Sequence, residues 1–102
     1  MNITNDTLPN RPTYSQTQKA LSIVENSDYD TDVYIILFRK LDGTLTQRVA
    51  SRLSYTHANG FCFFSSMESN RGEYRSCKRN RVFSLTKVSK NQIEKLAFAD
   101  RL

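Results

Sequence analysis

The sequence predicts a mainly β protein: a small five-stranded antiparallel barrel of the SH3-like or Sm-like kind, with one helix before it and one after it. Five short runs rich in β-branched and aromatic residues follow one another between residues 33 and 88. Turn-forming segments separate them, and Asp42-Gly43 between two apolar runs is typical of a hairpin. A chain of 102 residues is long enough for one such domain.

The N-terminal part predicts a tail followed by a helix. Residues 1–13 are rich in Asn, Thr and Pro without periodicity, which indicates a disordered tail, so residues 14–102 form the single domain. Apolar residues then recur at helical spacing and predict a helix over residues 15–26, with Ser15 or Thr17 as its N-cap.

The remaining elements follow in order along the chain. An acidic loop at residues 26–32 leads into the first strand. Period-two patterns and turn residues predict five strands at residues 33–40, 44–51, 60–67, 73–80 and 81–88. Helical spacing returns in the last segment and predicts a closing helix over residues 91–102.

The charge distribution indicates an anionic ligand. The net charge is +5, with four Lys/Arg against six Asp/Glu in residues 1–47 and eleven against four in residues 48–102. A strongly basic half of a chain is typical of proteins that bind phosphate groups, although basic residues also keep a small protein soluble. No apolar run reaches the roughly 18 residues of a membrane span, and the N-terminus lacks a signal-peptide pattern. We therefore expect a cytoplasmic protein without membrane contact.

The residues that most often carry catalysis or bind metals are sparse. The sequence has no G-x-S-x-G motif, no Cys/His pair at a family spacing and no Gly-rich phosphate loop, so an enzyme is not expected. His57 has no metal-ligand spacing to the two cysteines, and the acidic residues of 26–32 suit a solvated loop better than a metal loop. We expect no cofactor or metal. Cys62 and Cys77 are expected to be reduced and mostly buried.

The basic segment before the fifth strand is the main candidate site. Alternation along residues 73–80 predicts one face with Arg75, Cys77 and Arg79, and an opposite face with Tyr74, Ser76 and Lys78. Aligned guanidinium groups can bind phosphates or carboxylates through paired hydrogen bonds. The alternative is that this segment is a solvated edge strand whose charges prevent pairing with other chains. In the run of residues 60–64, Phe61 is a candidate for base stacking, with core packing as its alternative.

At these residues the chain resembles the WYL domain. Arg75-Ser-Cys77-Lys-Arg-Asn-Arg81-Val82 is similar to the family's strand-four signature, with Cys77 where the family usually has Phe. The aromatic run after Gly60 corresponds to its W-Y-L strand, and Gly43 to Val49, including Arg48, to its second strand. The resemblance implies an Sm-like/SH3-like barrel in which Arg75 and Arg81 are the anchors of a nucleic-acid or nucleotide-like ligand. The family usually sits beside a DNA-binding winged helix in transcription regulators.

Two functions from different classes follow. The first is a stand-alone regulatory or accessory module, of the phage- or defence-linked kind, that binds a nucleic-acid strand or nucleotide-like anion. The second is a protein–protein adaptor or inhibitor that presents the same basic face to an acidic partner. The sequence leaves the oligomeric state open, a homodimer included. The site residues predicted for the first function are Arg48, Phe61, Arg75, Lys78, Arg79 and Arg81.

Overall fold

The computed structural model describes residues 9–65, 73–89 and 91. In chain order the elements are α1 (Tyr14–Glu25), β1 (Val33–Arg39), β2 (Leu45–Thr56), β3 (Gly60–Ser65), β4 (Glu73–Cys77), the 3-10 helix η1 (Arg79–Arg81) and β5 (Val82–Lys87). The prediction of a mainly β chain with five antiparallel strands is confirmed. The predicted closing helix over residues 91–102 lies outside the described residues, apart from residue 91.

The five strands form one antiparallel sheet in the order β4-β3-β2-β1-β5. The first four strands follow each other as a meander, and β5 then returns to pair with β1, where Tyr34 lies opposite Lys87. In the described part of the chain, β4 and β5 are therefore the two edges of an open sheet.

The short connection between the two edges requires the sheet to curve. Only residues 78–81 separate β4 from β5. The outer strands of a flat five-stranded sheet lie about 19 Å apart, at roughly 4.8 Å per strand. Five residue steps reach about 17 Å when fully extended, and a 3-10 helix rises only about 2 Å per residue. The edges must therefore bend towards each other.

The concave face of the curved sheet carries the core. Residues directly opposite each other on paired strands share a face, and the buried set includes Tyr34, Ile36, Phe38, Ala50, Leu53, Phe61, Phe63, Cys77, Val82 and Leu85. Helix α1 packs on β5 and β2, and its buried residue Ala20 joins this core. Both cysteines are free and buried, as predicted.

The predicted N-cap of α1 is wrong. Thr13 caps the helix: its Oγ1 accepts from the Gln16 backbone N–H at 3.1 Å, and the Gln16 Oε1 accepts from the Thr13 N–H at 2.8 Å. This reciprocal pair is a capping box, which leaves Ser15 and Thr17 inside the helix. The signal was the Thr-x-x-Gln spacing that begins at Thr13.

Two predicted strand ends are also wrong. β2 continues to Thr56 instead of ending at Ser51, because a bulge between Ser51 and Ser54, with Arg52 at φ 50°, bends the strand without ending it. β4 ends at Cys77 instead of residue 80, because Arg79–Arg81 turn into η1. Arg79 is therefore not on a strand and does not share a strand face with Arg75.

Candidate functional site

A cavity of about 650 Å³ lies where the end of β1 meets β3, β4 and η1. Basic side chains from two distant segments line it: Arg39, Lys40, Arg75, Lys78 and Arg81. Asp42 is the single carboxylate among the described lining residues. A cavity with this excess of cations attracts anions.

Pairing of β5 with β1 brings the two basic segments together. Val82, at the start of β5, lies opposite Phe38, near the end of β1. The residue before it, Arg81, donates from Nη1 to the carbonyl oxygen of Lys40 at 3.0 Å. The guanidinium of Arg81 is therefore held beside the hairpin turn that follows β1.

Arg75 enters the site from the concave face of the sheet. It lies opposite Phe63 in the β3–β4 register, and Cys77 follows it two residues later on the same face. Phe63 and Cys77 are buried, whereas Arg75 is only half-buried. The side chain thus leaves the apolar core at the point where the cavity opens.

Lys78 is positioned by a close approach of two backbones. Gly60 has φ +80°, and a Cβ built on it would lie 2.4 Å from the carbonyl oxygen of Cys77 and 2.8 Å from the Cα of Lys78. Only glycine fits this left-handed position so near another main chain. Lys78 Nζ in turn donates to the carbonyl oxygen of Ala58 in the turn between β2 and β3.

Arg39 supports the wall of the cavity as a structural residue. It is only 4% exposed. Its Nε and Nη2 donate to the Pro9 carbonyl oxygen at 3.2 and 3.0 Å, and its Nη1 donates to the Gly43 carbonyl oxygen at 2.9 Å. The guanidinium carbon also lies 5.6 Å from the centroid of the Phe83 ring. The bonds to Pro9 tie the segment before α1 to the β1–β2 hairpin.

The apolar floor of the cavity comes from Phe38, Phe63 and Cys77. The two rings pack edge to face with centroids 6.1 Å apart. Burial raises the pKa of the Cys77 thiol to about 11, against the opposing influence of the Arg81 charge. The thiol is therefore protonated at neutral pH and is not an activated nucleophile.

Three of the six predicted site residues, Arg75, Lys78 and Arg81, line the cavity. Arg48 is half-buried on β2, opposite Ile36, and is not among the lining residues. Arg79 is exposed on η1 and also lies outside the lining.

Phe61, the remaining predicted site residue, is fully buried, and its ring packs against Tyr55 with centroids 5.2 Å apart. The core-packing alternative therefore holds for this ring.

Sequence reasoning missed Arg39 and Lys40 as residues of the site. The signal was present as two basic residues directly before the Leu41-Asp42-Gly43 turn. Their relation to the basic segment around Arg81 depends on β5 crossing the sheet to reach β1, which a local pattern does not encode.

Two properties of residues 9–65, 73–89 and 91 bear on metal binding and membrane insertion. In those ranges no group of three or more His, Cys, Asp or Glu is placed to hold a metal ion. None of the helices found there has the length and apolar character needed to cross a membrane. Comparison of the chain with protein-family models, curated proteins and solved structures finds no match.

Proposed function

We propose that the protein is a non-catalytic regulatory or accessory module that binds an anionic ligand, a nucleic-acid strand or a nucleotide-like molecule, in the basic cavity. The observation that carries the proposal is the convergence of basic side chains from residues 39–40 and 75–81 on one concave site. Basic residues that only confer solubility need no common cavity. Apolar walls beside the cations also strengthen their attraction for phosphate, because they lower the local dielectric.

We further propose that the curved sheet closes as an Sm-like barrel of the WYL type. Support comes from the strand order, the four-residue link between the sheet edges, and the position of α1 against the concave face. Arg75 and Arg81, the anchors implied by the resemblance, both line the cavity. Free, buried thiols at Cys62 and Cys77 suit a cytoplasmic protein.

Two arginines of η1 provide a matched test of the site. Arg81 lines the cavity, whereas Arg79 is exposed and does not. We expect Arg81→Ala to weaken binding of a fluorescein-labelled oligonucleotide of about eight nucleotides by about tenfold or more, the worth of a charge-assisted hydrogen bond. Arg79→Ala should change affinity by less than about threefold. Fluorescence anisotropy measures the affinity, and a thermal melt of each variant reports whether Arg81→Ala also loosens the hairpin that it contacts.

Salt dependence provides the second arm of the same test. Binding through phosphate contacts should weaken as salt rises, with a log–log slope of about 0.7 per phosphate contact for a single strand. Arg81→Ala should lower that slope by about 0.7, the value of one phosphate contact, while Arg79→Ala should leave the slope unchanged. The proposal is refuted if the wild-type chain binds no nucleotide or oligonucleotide at low salt, or if both variants lose affinity equally.

A protein adaptor that docks an acidic partner is the second candidate. The observation in its favour is Leu41, which is 88% exposed and lies in the lining beside the basic residues. An exposed leucine next to cations suits a protein interface with an apolar centre and an acidic rim. Leu41→Ser should weaken binding of such a partner much more than binding of an oligonucleotide, which depends mainly on the basic side chains, so the ratio of the two losses separates the two functions.

A further inference from the structure

We infer that the cavity takes a single nucleoside monophosphate, with its base on the apolar floor and its phosphate among the basic side chains, in preference to an extended strand. This inference rests on the proposed function and narrows it to one ligand class.

The size of the cavity suits one nucleotide. Its volume of about 650 Å³ lies inside the range of about 300–1,000 Å³ that is typical of small-ligand sites. A nucleic-acid strand would extend beyond the cavity, and its sugar-phosphate backbone would need a groove lined by further basic residues. Among the described basic residues near this end of the molecule, Arg79 does not line the cavity, and Arg48 lies at mid-strand on β2. The lining cations therefore form one compact group at the cavity.

The chemistry of the lining suits an aromatic ring joined to an anion. At the floor, Phe38 and Cys77 keep 7% and 6% of their surface exposed, whereas Phe63 is fully buried behind them. An exposed ring and a polarizable sulfur pack well against a planar base. Inorganic phosphate alone would leave this apolar surface unused. A free nucleoside would bring no phosphate to the basic side chains of Arg75, Lys78 and Arg81.

The carboxylate of Asp42 adds a third recognition element at the cavity. One of its oxygens, Oδ1, accepts from the Thr44 backbone N–H at 2.9 Å, and this hydrogen bond is the main reason why its pKa lies below the ordinary value. The group is thus an ionised acceptor at neutral pH. A nucleoside offers several hydroxyl and amino donors to such an acceptor, whereas inorganic phosphate offers only its own P–O–H group.

Ligand length separates this inference from the broader proposal. Isothermal titration of the full chain would compare adenosine 5′-monophosphate and uridine 5′-monophosphate with adenosine, inorganic phosphate and oligonucleotides of up to about eight nucleotides. We expect at least one monophosphate to bind about tenfold or more tightly than adenosine or phosphate. Extending the ligand to an oligonucleotide should improve affinity by less than about threefold.

Each other outcome has a definite meaning. Affinity that rises steadily with strand length overturns this inference and leaves the proposed function standing. Phosphate binding as tightly as either monophosphate overturns it as well, because the base then contributes nothing. Failure of every anion to bind refutes the inference and the proposed function together.

A structural readout locates the base. In a chain with labelled phenylalanines, nuclear Overhauser contacts are expected from the base protons of the bound monophosphate to Phe38, which keeps some exposed surface, and not to Phe61, which is fully buried and lies outside the lining. Contacts to the exposed ring of Tyr74 instead would place the base on the outer surface and overturn the inference. Lys40→Ala should weaken monophosphate binding, whereas Lys19→Ala, on the exposed side of α1, is the matched control.

Discussion

Replacing Gly60 with alanine tests the backbone approach that holds Cys77 and Lys78 at the cavity. Gly60 has φ +80°, and the added methyl group would lie 2.4 Å from a carbonyl oxygen that belongs to the main chain of the β4 end. Main-chain atoms cannot rotate away as a flexible side chain does. Either Gly60 or the β4 end must therefore move, and both movements disturb the β3–β4 pairing in which Phe61 lies opposite Cys77.

The expected cost has two parts. A left-handed conformation costs an alanine about 1–2 kcal/mol, and overpacking against atoms that cannot yield costs about 1–3 kcal/mol. Alanine also restricts the unfolded chain, which offsets about 0.4–1 kcal/mol. The free energy of unfolding should therefore fall by about 1–5 kcal/mol, with about 3 kcal/mol at the centre of these ranges. For a domain of this length, a loss of about 3 kcal/mol lowers Tm by about 12–24 °C.

Gly43 provides the matched control. It has a similar φ of +90°, but a Cβ built there meets nothing within 4 Å. Gly43→Ala should therefore lose only the backbone part, about 1 kcal/mol after the unfolded-state offset. Urea unfolding followed by circular dichroism measures both variants. Equal losses for the two variants would refute the reasoning, because they would show that the contact at Gly60 contributes nothing beyond its backbone conformation.

Three further predictions concern the polar groups around the site and the helix–strand loop. Arg39→Lys should lower the free energy of unfolding by about 1.5–3 kcal/mol, because lysine cannot make the forked hydrogen bonds to the Pro9 and Gly43 carbonyl oxygens. Urea unfolding measures this loss, and an unchanged stability would contradict the structural role of Arg39. Burial raises the pKa of Cys77 from 9.0 to about 11, so the folded state holds this proton more tightly than the unfolded state. The resulting stability, about 2–3 kcal/mol, is present below pH 9 and lost as pH rises through about 11. Urea unfolding of wild type and Cys77→Ala at about pH 8 and about pH 11 checks this, since the advantage of the wild type should shrink at the higher pH. The pKa of Asp32 is lowered, mainly by the Asp28 backbone N–H, so Asp32→Asn should destabilise the protein at neutral pH. Acid titration of both proteins should show the difference vanish as pH falls through that lowered pKa, and a constant difference would contradict it.

Local signals in the sequence predicted most of the fold. The Asp42-Gly43 turn forms as expected, with the Lys40 N–H donating to the Thr44 carbonyl oxygen at 2.9 Å, because the left-handed glycine and the flanking apolar runs act within a few residues. The third strand begins at Gly60 as predicted. The extension of β2 was not predictable in this way, since the bulge at Arg52 depends on the partner strand β3.

The candidate site was predictable only in part for a similar reason. Arg75, Lys78 and Arg81 stand in one basic segment, which the composition makes visible. Lys40 joins them only because β5 crosses to the far edge of the sheet and pairs with β1. The prediction for Arg79 extended the alternating pattern of β4 to residues 79–81, but these residues form a 3-10 helix. An alternating sequence pattern does not show where the hydrogen bonds between strands end and those of a local turn begin.

The return of β5 to β1 has a consequence for how the chain folds. The pairings among β1, β2, β3 and β4 join neighbours in sequence, whereas Tyr34 pairs with Lys87, 53 residues later by their numbering. Closing so long a loop carries a larger entropic cost than forming a hairpin, and non-local pairings slow folding. The meander can therefore assemble before β5 docks. Arg81 reaches the Lys40 carbonyl only once β5 has docked, so a chain in which only the meander has formed lacks the complete cavity proposed to bind the ligand.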